Sequence, residues 1–199
     1  LKKKVTNERT IIGIGSAGLS TMFFLNQKKR LSTNSLLFIK PELESKINKG
    51  SRTSIINQKK FDALLKLKEK GIAYQFPEAI NRHDALTERH LPVLPSEKIF
   101  TIVGLGGESG EFLLKIVAFQ FFKKINVTHF CHLPFAFEGT EKTNKANYQL
   151  EKLNTSTSKC IKLENQSLLK ETTKTFDDAF STYHSLIEKL IFIKTKRQD

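Results

Sequence analysis

Short apolar runs alternate along the chain with helical patterns. Residues 10–15, Thr-Ile-Ile-Gly-Ile-Gly, read as a buried strand, and Leu36-Leu37-Phe38-Ile39 as a second that stops at Pro41. Further strands are expected at Ile99–Val103, Val127–Leu133 (stopped by Pro134) and Cys160–Leu163. Continuous apolar runs of this length suit parallel strands covered on both faces. Between them the period lengthens. Helices are expected at 19–29, at 61–70 with Phe61, Leu64, Leu65 and Leu67 inward and Gly71 as the stop, and at 111–124, which is apolar nearly all round. Two more are expected at 140–153, with Ala146, Leu150 and Leu153 on one stripe, and at 176–194. Residues 45–60 are polar and aperiodic, and 72–98, with three prolines, read as irregular apart from a short helix at 82–88. Alternation of strand and helix implies an α/β fold: a Rossmann-like, mostly parallel sheet with helices on both faces.

Two glycine turns punctuate this pattern. One is Gly15-Ser16-Ala17-Gly18 after the first strand. The other contains Gly104, Gly106, Gly107 and Gly110 after strand 99–103. A strand running through a glycine turn into a helix points backbone N–H groups at a phosphate. Gly13-Ile-Gly15-Ser-Ala-Gly18 fits the dinucleotide fingerprint G-x-G-x-x-G, but the second strand ends in Lys40-Pro41, with Glu42 slightly beyond the place of a ribose-binding acid. No G-x-x-x-x-G-K-[ST] loop is present.

Composition narrows the partners. The 199 residues suffice for one domain, with 39% apolar residues for a core. Lys and Arg number 33 against 20 Asp and Glu. Residues 1–60 hold 13 of the basic residues and 3 acids, a net +10, which suits a polyphosphate, nucleic acid or an anionic membrane, or simply a solvated lysine-rich face. Nucleic acid and membrane are the less favoured partners. Cys131 and Cys160 form neither a disulfide framework nor a Cys-x-x-Cys pair, which suits a reducing cytoplasm. Lys2–Lys4 before the run 11–25 imitate a signal peptide, but three glycines and two serines interrupt that run. His129, Cys131 and His132 imitate a metal cluster; strand alternation is expected to turn Cys131 away from both histidines, so no metal site is assigned.

The glycine turns and the segments after them resemble the tubulin/FtsZ family. Gly106-Gly107-Glu108-Ser109-Gly110-Glu111-Phe112 is similar to the signature G-G-G-T-G-[ST]-G, and Gly15-Ser16-Ala17-Gly18-Leu19-Ser20 to the first loop G-G-A-G-G-N. Pro134-Phe135-Ala136-Phe137-Glu138-Gly139 reproduces the segment P-F-x-F-E-G, and Lys142 stands where the family has Arg. Residues 163–169 resemble I-P-N-D-x-L-L, with Asn165 as its Asn, and Asp178-Ala179-Phe180 matches D-A-F. His184 falls where the family has Asn or Asp. The resemblance covers 10–40 and 98–193, with nothing matching in 45–97.

This resemblance implies a guanine nucleotide, GTP or GDP with or without Mg2+. The two turns (Gly15, Ser16, Ala17, Gly18, Ser20; Gly106, Gly107, Glu108, Ser109, Gly110) would hold phosphates. Glu138 and Lys142 would hold the ribose side, Asn165 the sugar and base edge, and Phe180 would stack on the base with His184 at its edge. It also implies a cytoskeletal, cell-division role and association with FtsZ-like subunits. Glu108 and Glu111 put carboxylates in the phosphate loop, and Phe112 a bulky residue in place of a glycine. All three are expected to weaken binding. The family's loop N-x-D-F-A-D and second domain do not follow residue 194, so hydrolysis by these residues alone is not expected and no catalytic residue is assigned. The expected organisation is a basic tail at 1–9, a nucleotide-binding domain at 10–194 and a polar tail at 195–199. The alternatives are an FtsZ-like interaction protein without nucleotide, and a Rossmann-type dinucleotide or nucleic-acid binder.

Overall fold

The computed structural model describes residues 9–31, 35–39, 65–75, 98–118, 126–154, 158–169 and 176–192. Six parallel strands form one sheet in the order β3-β2-β1-β4-β5-β6. They are β1 (Arg9–Ile14), β2 (Ser35–Ile39), β3 (Ala73–Gln75), β4 (Lys98–Gly104), β5 (Asn126–Leu133) and β6 (Ser158–Glu164). This is the doubly wound arrangement, in which the strand order reverses between β1 and β4.

Alternation along the strands divides the core into two layers. Ile12, Ile14, Leu36, Phe38, Ile99 and Val103 face one side, where α2 (Glu108–Ala118) and α3 (Thr140–Leu153) cover them with Phe112, Leu113, Ile116, Ala146, Leu150 and Leu153. Ile11, Leu37, Ile39, Ile102 and Phe130 face the other, under Leu19, Met22 and Leu25 of α1 (Gly15–Gln27) and Ile187 and Ile191 of α5 (Phe176–Phe192). Helices therefore lie on both faces, as the sequence pattern implied.

Several local expectations need correction. The first glycine turn is not a separate loop. Gly15, at φ +67°, turns the chain in one residue, and Ser16, Ala17 and Gly18 already lie in α1. Likewise α2 begins at Glu108 rather than 111. The region expected to be irregular contributes β3, whose three residues pair with Leu37–Ile39. A strand of three residues, Ala-Tyr-Gln, carries too short a pattern to be seen in advance. Residues 65–69 are helical, but Leu65 is exposed and only Leu67 of that pair is buried. Gly71, at φ +66°, ends that helix. One-turn helix α4 (Asn165–Leu168) and the 3-10 turn Ala136–Glu138 were not anticipated. The expectations for 45–60 and 82–88 lie outside the described residues.

The last helix is tied to the start of the sheet by aromatic and polar contacts. The guanidinium groups of Arg9 and Arg30 stand 5.5 and 5.3 Å from the Phe192 ring, and Arg30 also pairs with Glu188 at 3.0 Å. Tyr183 donates its hydroxyl to the Glu164 carbonyl at 2.7 Å. Among the described residues no helix is long and apolar enough to cross a membrane.

Candidate functional site at the strand switch point

Open α/β sheets bind ligands at the C-terminal ends of their strands, where the strand order reverses. A cavity of about 330 Å3 opens there, within the ~300–1,000 Å3 typical of small-molecule sites. The first two turns of α1 supply Ser16, Ala17 and Ser20 to its wall, and the end of β4 and the residue after it supply Gly104 and Leu105. The segment after β5 contributes Pro134 and Glu138, and α3 contributes Lys142. The far end is closed by His132, Asn165, Phe180 and His184.

Most of the polar groups here are already engaged. Glu138 accepts the Phe135 N–H through Oε1 at 2.8 Å and pairs with Lys142 through its other oxygen. Burial pushes its carboxyl up, but the hydrogen bonds and the Lys142 charge outweigh that and hold it below the usual carboxylate range. At the other end, His132 is buried, with Nδ1 3.2 Å from Asn165 Oδ1. Burial lowers its pKa to about 4, against the opposing effect of the hydrogen bond to Asn165. The imidazole is therefore neutral at pH 7, with its proton on Nδ1 facing the Asn165 carbonyl oxygen. Phe180 packs on this pair, its ring 5.9 Å from His132 and edge-on to Phe135 at 6.4 Å. His184 lies 5.5 Å from Phe24 of α1.

The second glycine turn is arranged differently from the expectation. The Leu105 N–H donates to the His132 carbonyl at 2.9 Å, continuing the β4–β5 ladder. The Gly106 N–H donates to Gln149 Oε1 at 2.8 Å, and Gln149 Nε2 donates to the Gly107 carbonyl at 3.0 Å. The Gly106 amide, expected to hold phosphate, is thus bonded within the fold. Neither Gly106, Gly107, Glu108, Ser109 nor Gly110 is part of the cavity wall, and Gly15 and Gly18 are buried beneath it. Ser109 Oγ lies directly over Gly15, where a Cβ would stand.

The expected obstructions also lie elsewhere. Phe112 is fully buried and meets Phe38 edge-on at 5.2 Å, so its ring belongs to the core. The helix starts at Glu108, and its turn carries position 112 to the sheet side. Truncation to Phe112→Gly is expected to cost about 3–5 kcal/mol through the cavity it leaves, measured as a lower urea midpoint. Glu111 pairs with Lys145 of α3, and Glu108 is exposed. Neither carboxylate faces the cavity.

His129, Cys131 and His132 do not converge. Alternation sets His129 and Cys131 on the same face, contrary to expectation, and His132 on the other. His129 is committed to Thr101, Nδ1 to Oγ1 at 2.7 Å. Among the described residues no group of three His, Cys, Asp or Glu could hold a metal ion.

Two residues escaped the sequence reading. His132 was not expected in the cavity wall, although a histidine closing an apolar strand at the switch point could have been flagged there. Gln149 falls on the apolar stripe of α3, between Ala146 and Leu150 and Leu153, and a polar side chain on such a stripe signals a buried partner.

No protein-family model and no curated protein matches the chain by sequence. Solved structures do match by fold. An empty FtsZ dimer from M. jannaschii aligns with TM-score 0.59 and 16% identity over 98% of this chain and 57% of that one. GDP-bound monomeric CetZ1 from Haloferax volcanii aligns with TM-score 0.51 and 13% identity, over 94% of this chain and 62% of that one. CetZ2 from the same organism, a GTPγS-bound protofilament, gives TM-score 0.50 and 14% identity over 94% and 60%. The chain thus spans between 57% and 62% of the length of these structures. Its architecture is similar to that of the nucleotide-binding domain of the tubulin/FtsZ proteins.

Proposed function

We propose that this chain binds a guanine nucleotide, GTP or GDP with or without Mg2+, in the cavity at the strand switch point, as the nucleotide-binding domain of an FtsZ-like cytoskeletal protein. The observation that carries the proposal is the composition of that wall. Ser16, Ala17 and Ser20 from a helix N-terminus share one cavity with Glu138, Lys142, Asn165 and Phe180. The N-terminal turns of α1 and α2 give a positive field for phosphates from the two faces of the sheet. Glu138, held ionised by Lys142, offers acceptors to ribose hydroxyls, and Phe180 a flat face to the base. The fold likeness to a GDP-bound monomer and a GTPγS-bound protofilament supports the same reading, and extends it to self-association with FtsZ-like subunits. The binding residues proposed are those that line the cavity, Ser16, Ala17, Ser20, Glu138, Lys142, Asn165, Phe180 and His184; none is assigned to bond cleavage.

Phe180→Ala is the discriminating variant. Base stacking is worth ~1–3 kcal/mol, so GDP affinity is expected to fall about tenfold or more, read by fluorescence of a labelled GDP. An unchanged affinity with an intact fold would remove Phe180 from the site and with it the base-binding end of the cavity.

A further inference from the structure

Gln149 has no place among the ligand contacts above, yet its side chain organises the second glycine turn. It is almost completely buried. Its amide spans the turn, accepting from Gly106 N–H and donating to the Gly107 carbonyl. Two glycines make room for this arrangement. A Cβ on Gly110 would collide with the amide oxygen, and one on Gly106 would stand 2.6 Å from the Lys142 carbonyl oxygen. Gly107, by contrast, has nothing within 4 Å on its Cβ side. The turn is therefore fastened to α3 by Gln149 and lies close against the Lys142 backbone. The same helix presents the Lys142 side chain to the cavity.

We infer that Gln149 is the positioning residue of the phosphate turn: its amide sets the backbone of 106–110 in the shape that a nucleotide's phosphates require and locks it to the helix that carries Lys142. The inference rests on the nucleotide reading of the cavity. Because one amide oxygen takes the Gly106 N–H, the turn acts through its backbone shape and its hold on the helix of Lys142 rather than through that N–H. A purely structural Gln149 would affect every ligand alike, whereas a residue that shapes this turn affects only ligands that bear phosphates.

The test is calorimetry of the full chain with GDP and with guanosine, comparing the native protein with Gln149→Met, Gln149→Glu and Gly110→Ala, each checked for an intact fold by its urea midpoint. Met keeps the length and loses both hydrogen bonds. Glu keeps the acceptor for Gly106 and loses the donor to Gly107. Ala at 110 pushes the amide away without altering residue 149. GDP affinity is expected to fall at least tenfold in Gln149→Met and Gly110→Ala, with guanosine affinity held within twofold and Gln149→Glu intermediate. GDP affinity unchanged in folded Gln149→Met or Gly110→Ala, or GDP and guanosine weakened in parallel, would overturn the assignment while leaving the nucleotide site standing. If Gln149→Met does not fold, Gly110→Ala decides by the same ratio. Failure of the native chain to bind either ligand overturns the nucleotide reading itself, and the role of Gln149 with it.

Discussion

Lowering the pH from 7 to 4 is expected to remove roughly 6 kcal/mol of stability from the domain, enough to unfold many proteins. The cause is two buried histidines. His129 is fully buried against Thr101, and His132 is nearly so beside Asn165. Neither has a partner for its Nε2 among the described residues. Burial lowers both pKa values from 6.5 to about 4. In the unfolded chain each imidazole takes up its proton near pH 6.5; in the folded chain each resists until about pH 4. Between those limits the unfolded state binds more protons, so stability falls as the pH falls and levels out below about 4. Each histidine contributes about 3 kcal/mol to this loss. Glu138, held below the ordinary carboxylate range, adds a loss of the same sign at lower pH. Urea midpoints between pH 7.5 and 4 check this. His129→Gln should flatten the slope by about half. Equal midpoints at pH 7 and pH 5 would mean that these rings are hydrated or already charged.

Gly18→Ala is expected to be among the most damaging single methyl additions in the described part of the chain. A Cβ there would stand 2.5 Å from the Gly13 carbonyl carbon, 2.7 Å from Gly13 Cα and 3.2 Å from the Ile102 carbonyl oxygen. Two of these atoms belong to β1 and one to β4, and no side-chain rotation relieves any of them. Helix α1 would have to lift off the sheet, pulling Leu19, Met22 and Leu25 out of their layer. Overpacking typically costs ~1–3 kcal/mol, and more where backbone meets backbone; about 3 kcal/mol or failure to fold is expected. Gly107→Ala is the matched control. Nothing lies within 4 Å of its Cβ position, so stability should stay within about 0.5 kcal/mol. Thermal unfolding of the two variants side by side makes the comparison. A Gly18→Ala protein as stable as Gly107→Ala would show that the helix and sheet are not in this contact.

Gly18 also illustrates how far the sequence could be read. The fingerprint spacing of Gly13, Gly15 and Gly18 announced a strand, a sharp turn and a closely packed helix, and that is what they form. It could not tell whether the glycines touch a ligand or only permit packing, because both need the same absent side chain. The strands at 36–39 and 127–133 were legible because strands covered on both faces leave unbroken apolar runs. β3 was not, since Ala-Tyr-Gln carries no such run. Within the site, Glu138, Lys142, Asn165 and Phe180 come from segments up to 42 residues apart, and no periodicity connects them. Only their likeness to a family pattern brought them together before the fold was known. Phe112 misled for the opposite reason. The family signature placed it at a glycine of the phosphate loop, whereas the helix begins four residues before it and turns it into the core.

Direct titration of the full chain with GDP, ATP and NADPH at up to about 1 mM tests the nucleotide site most directly. Saturable binding of one GDP per chain, tighter than ATP or NADPH, is the expected result. Absence of binding by all three, or a preference for NADPH, would contradict it.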